Sequence, residues 1–189
     1  VKEHKNSEVQ KSTPIVYRGD EEMIKAGEGG IPERRGKRTH GVMGKTAARA
    51  RRQELAQQMM KFNTFMQVEY ARYTSDASSI LPHLKAFNAQ IKRPKPSKLI
   101  IQAAREAVKE AVTNVVNCLE SIHTFKTAVA KSGASGTELS NTYSSVGLGT
   151  DITTAEKIME NMKTILTRKL RTRSTALVKI ETWEKLHLK

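Results

Sequence analysis

Ile101, Val108, Val115, Ile122 and Val129 stand seven residues apart, with Ala104, Ala111, Cys118 and Phe125 at the intervening positions. This is an a/d heptad sustained over more than four repeats, with a β-branched residue at every a position. No glycine or proline interrupts residues 98–131, so the pattern predicts one helix roughly 50 Å long, at 1.5 Å per residue. Leu99, Ile100, Val112, Val116 and Leu119 widen the apolar face beyond a two-stranded seam. A stripe that broad needs several neighbours to cover it, which points to the core of a helical bundle. Ile101, Val108, Val115, Ile122 and Val129 are the expected helix-packing residues.

The rest of the chain can supply those neighbours. Residues 45–73 lack glycine and proline and are rich in Ala, Gln, Met, Arg and Leu, all good helix formers. Leu55, Met59, Phe62, Met66 and Tyr73 recur there at helical spacing. Ser79 ahead of Ile80-Leu81-Pro82 reads as a cap with proline in the first turn, opening a short helix over residues 79–91. Lys92-Arg93-Pro94-Lys95-Pro96-Ser97 is a stiff basic linker, and Ser97 can cap the heptad helix. Residues 132–150, SGASGTELSNTYSSVGLGT, read as a flexible Gly/Ser/Thr loop. Thr153 and Glu156 fit a capping box for a last helix over residues 154–188. Its apolar stripe is interrupted where Lys169 and Arg173 fall on the same face. Thr172-Arg173-Ser174-Thr175 is the weakest helix sequence there, and a kink or a change of partner is expected.

Residues 1–44 carry nine glycines and prolines and few large apolar groups, too little to offset the entropy of ordering them alone. The expected fold is therefore all-α: an elongated bundle of about four helices, three of them long, over residues 45–189, preceded by an extended basic N-terminal arm over residues 1–44.

The net charge of +14 is unevenly placed. Residues 1–33 hold five basic and seven acidic side chains, whereas residues 34–52 hold eight basic and no acidic ones. Residues 92–98 add four cations and no anion, and residues 154–189 hold nine basic against four acidic groups. Three clusters emerge as candidate nucleic-acid-binding residues. The first is Arg34, Arg35, Lys37 and Arg38 in the arm, continued by Lys45, Arg49, Arg51 and Arg52 at the start of a helix. Lys92, Arg93, Lys95 and Lys98 form the second, and Arg168, Lys169, Arg171 and Arg173 the third. Lys45, Arg49 and Arg52 share one helical face. Cations at a helix N-terminus oppose its dipole, and a phosphate placed there reverses the sign of that interaction. Aromatic residues make up only 5% of the chain, so base stacking is poorly provided for. Contact with the phosphate backbone, without sequence preference, is the expected mode.

Catalytic and cofactor chemistry finds little footing. Gly44-Lys45-Thr46 lacks the first glycine of a phosphate-binding loop, whose position is held by Thr39, and no apolar strand precedes it. His4, His40, His83, His123 and His187 are isolated from one another, and Cys118 lies on the apolar heptad face. Glu106 with Glu110 and Glu156 with Glu160 read as solvent-face charges beside lysines. Arg18-Gly19-Asp20 has no cysteine-stapled loop to present it. No enzyme activity, metal, cofactor or small-molecule substrate is expected. A single cysteine argues against a disulfide-forming route, and no apolar run reaches the ~18 residues of a membrane span.

In layout alone, a basic arm before a helical bundle with Val1 as a possible processed terminus, the chain resembles viral capsid and nucleocapsid-type proteins. That resemblance implies a non-enzymatic structural protein of a virion, or of an intracellular nucleoprotein assembly, packing on copies of itself or on neighbouring proteins. A ribosomal or ribosome-like RNA-binding protein is the alternative expectation. A helical adaptor for an acidic protein partner ranks below both.

Overall fold

Proline follows the helix that ends at Ile91, and glycine follows those that end at Ser132 and Ser145. A computed structural model describes residues 41–188, and among these every regular element is helical. Helix α1 spans Gly41–Thr64, widens into a π-helical turn at Phe65–Glu69, and resumes as α2, Tyr70–Thr74. A single short turn, α3 at Asp76–Ser79, precedes α4, Leu81–Ile91. The two longest helices are α5, Lys98–Ser132, and α7, Ile152–His187, with α6, Gly136–Ser145, between them. An all-α helical bundle is the fold. The expected arm lies outside the described residues, apart from the first turn of α1.

The described residues divide into two units. One comprises residues 69–118 and 164–188. Its core is built from Ile80, Phe87, Ile101, Ala104, Val108 and Ile180, with Trp183 packed against it. The Trp183 ring meets the Phe87 ring edge-on, with centroids 5.8 Å apart, an arrangement that aromatic quadrupoles favour. The other unit comprises residues 41–68 and 119–163. There Phe62 stacks on Phe125 at 4.2 Å and touches Phe65 at 5.4 Å, while Tyr143 packs beside Phe125. Along α5 the five a-position residues and the four d-position residues between them are all buried.

Four local features depart from the sequence reading. The segment expected to be a flexible loop contains α6. Leu139, Thr142, Tyr143 and Val146 follow the i, i+3, i+4, i+7 spacing of a helix, and the last three are buried. Its serines and threonines do not oppose the helix, because Thr142 Oγ1 and Ser145 Oγ donate to the carbonyls four residues back, at 2.9 and 2.8 Å. The glycines serve as terminators: Gly147, at φ 84°, turns the chain so that the Leu148 N–H reaches the Tyr143 carbonyl at 2.9 Å.

The expected capping box at Thr153 gives way to Asp151. Its carboxylate accepts both the backbone N–H of Thr154, at 3.2 Å, and the Thr154 hydroxyl, so α7 begins at Ile152. Those bonds hold the Asp151 carboxyl below the usual carboxylate range.

Ser79 does not cap α4; it closes α3, and its hydroxyl donates to the Arg72 carbonyl at 3.3 Å. Pro82 does sit in the first turn of α4.

Finally, of the kink or change of partner expected at residues 172–175, the kink is absent, and α7 runs through them without a break. Thr172 and Thr175 return their hydroxyls to the carbonyls of Arg168 and Arg171, at 3.0 and 2.9 Å, and Arg173 finds a partner on α3.

Candidate nucleic-acid interface

From Gly44 to Glu54 no side chain of α1 is buried, and Leu55 is the first that is, so the cations between them lie on the part of the helix that faces solvent. Lys45, Arg49 and Arg52 are exposed and Arg51 is half-buried. The first three make no ion pair among the described residues. No acidic residue lies in the first turn of α1. The seven residue steps from Lys45 to Arg52 rise about 10 Å along the helix axis. That matches about three phosphate steps of one nucleic-acid strand at 3.4 Å each. Arg34, Arg35, Lys37 and Arg38 lie outside the described residues.

The second cluster belongs to the unit built around Ile101. Lys92, Arg93, Lys95 and Lys98 are all exposed and make no ion pair among the described residues. The turn that carries them is closed from within. Gln90 is buried, and its Oε1 accepts the Ser97 N–H at 2.8 Å. Ser97 Oγ in turn accepts the Ile100 N–H at 3.4 Å, at the start of α5.

The third cluster divides. Arg168 and Arg171 are exposed, as phosphate contacts need to be. Arg173 is instead buried and Lys169 half-buried, and both pair with Asp76. Arg173 is 1% exposed; its Nη1 donates to the Ala111 carbonyl and its Nη2 to Asp76 Oδ1, each at 3.1 Å. Lys169 Nζ donates to the other carboxylate oxygen of Asp76 at 2.9 Å. A guanidinium that deep cannot reach a phosphate without unfolding its surroundings. Burial pushes the Asp76 carboxyl up, but the hydrogen bonds and charges of Lys169 and Arg173 outweigh it and leave the group below its ordinary value.

Asp76 was not singled out by sequence, although a signal existed. Two cations four residues apart on an otherwise apolar stripe require a buried or half-buried anion opposite them. Cys118 lies in the same unit with its thiol pushed up to about 12, first by burial and then by the Glu69 carboxylate, with Arg173 opposing both. Among the described residues no three His, Cys, Asp or Glu side chains gather as a metal would require, and no helix is long and apolar enough to cross a membrane.

Compared with protein-family models, curated proteins and solved structures, the chain matches none.

Proposed function

We propose that this chain is a non-enzymatic structural protein of a large nucleoprotein assembly, of the viral capsid or nucleocapsid type, located in a virion or an intracellular nucleoprotein particle. It neutralises nucleic-acid phosphates without reading bases. The observation that carries this reading is the α1 face, where Lys45, Arg49 and Arg52 stand exposed on one side of the helix and make no ion pair among the described residues. Charges left without carboxylate partners add to self-repulsion in the free chain, and a polyanion relieves it. Arg51 lies on the same helix, the arm cations Arg34, Arg35, Lys37 and Arg38 precede it in sequence, and Arg168 and Arg171 are exposed cations of the other unit.

The test is Arg49→Glu with Arg52→Glu in the full chain, measured as affinity for a mixed-sequence duplex over a range of salt. Removing two phosphate contacts lowers affinity and reduces the slope of log K against log salt by about 2. Unchanged isotherms at both low and high salt would remove α1 from the interface and this reading with it.

A further inference from the structure

The turn between α4 and α5 and the first turn of α5 combine four cations that make no ion pair among the described residues with apolar groups that stay exposed. Leu99, next to Lys98, is 78% exposed, and Ile100 is 40% exposed. Their neighbour Ile101 is fully buried, so the first turn of α5 is anchored on one side while Leu99 projects on the other. Gln90 and the two prolines hold the cations within a seven-residue stretch, 92–98, beside it.

We propose that this surface docks on an anionic lipid bilayer, with Lys92, Arg93, Lys95 and Lys98 at the headgroups and Leu99 inserted among the acyl chains. Charge complementarity selects a polyanion, and each cation near an anionic bilayer contributes about fivefold to partitioning. The leucine then chooses among polyanions. A nucleic-acid backbone offers no apolar volume for a projecting side chain, so Leu99 would stay in water there and gain nothing. A bilayer accepts it without a shaped counterpart, and transfer of a leucine side chain from water adds about tenfold or more. This surface is separate in sequence and in composition from the α1 face, which has no exposed large apolar residue among its cations. The chain would thus carry two anion-binding surfaces of different chemistry, one for phosphates alone and one for phosphates over hydrocarbon.

Co-sedimentation of the full chain with phosphatidylcholine vesicles, with and without phosphatidylserine, tests this. The wild-type chain should pellet with the phosphatidylserine vesicles and not with the neutral ones. Leu99→Ser, which leaves the charge unchanged, should weaken pelleting about tenfold, and Lys92→Glu with Lys95→Glu should abolish it. All three positions are exposed, and an unchanged helical circular-dichroism spectrum establishes that the variants are folded. Arg49→Glu with Arg52→Glu should leave vesicle binding largely intact while impairing duplex binding, so either surface can fail without the other. Absence of pelleting with phosphatidylserine, as an acidic protein ligand would leave it, overturns the proposal. So does a Leu99→Ser chain that binds as tightly as the wild type, because the turn would then be a general cationic surface.

Discussion

Arg173 and Asp76 are joined across 97 residues of sequence by a single 3.1 Å hydrogen bond, the guanidinium 1% exposed and the carboxylate 48%. One member has given up its water and the other has kept much of it. The asymmetry makes the two ends of the bond unequal under mutation.

Asp76→Ala strands a buried guanidinium, whereas Arg173→Met removes the buried charge and fills its space with apolar chain. A fully buried pair broken from one side costs about 3–5 kcal/mol, and the exposure of Asp76 reduces this to about 2 kcal/mol. Arg173→Met should cost less than about 1 kcal/mol or stabilise. Urea unfolding of both variants decides the matter, and a larger loss for Arg173→Met would contradict it. The carboxyl of Asp76 is lowered in the folded state. Its contribution is therefore complete above the ordinary carboxylate range near about 4 and disappears as pH falls through the lower folded value. The stability gap between wild type and Asp76→Ala should be constant from neutral pH to mildly acidic pH and close below it.

Cys118 should resist thiol reagents in the folded chain. Its pKa of about 12 leaves almost no thiolate at neutral pH, and burial denies access besides. Modification by a disulfide reagent at pH 8 should run at least about 100-fold slower than in denaturant. Stoichiometric labelling at the same rate in both states would show the site to be open. Because the folded value is raised, the thiol favours folding below its ordinary value of 9.0, and this support fades as pH climbs toward about 12.

Gly147→Ala isolates a backbone effect. A Cβ at this position meets no atom within 4 Å, so the whole cost comes from φ 84°. A loss of about 1–2 kcal/mol in denaturant unfolding is expected, with Gly147→Asn recovering part of it. An alanine variant as stable as the glycine would mean that the turn after α6 adopts another conformation at no cost.

The heptad of α5 was readable because its period is regular and every a residue is β-branched, so sequence distance and buried face coincide from Ile101 to Val129. In α6 the same logic was hidden by composition. Leu139, Tyr143 and Val146 have helical spacing, but the Ser, Asn and Thr residues between them outweigh it on any propensity scale, and the packed Tyr143 ring and the back-bonded hydroxyls offset that preference. The basic clusters were legible as charge and not as role. Lys169 and Arg173 differ from Arg168 and Arg171 only in which way α7 turns them, and the partner that draws two of them inward, Asp76, sits in a four-residue turn with no pattern of its own.

The bond from Ser97 to Gln90 has a thermodynamic corollary. Two prolines and a side-chain clasp have already taken the rotational freedom out of the turn between α4 and α5 before anything binds there. An anion that meets its four cations finds their backbone spacing set in advance, and little ordering penalty is left to subtract from the attraction. Complex formation at this turn is then governed by how often a ligand arrives and how strongly salt screens its approach. The same seven residues in an unclasped linker would first have to be arranged.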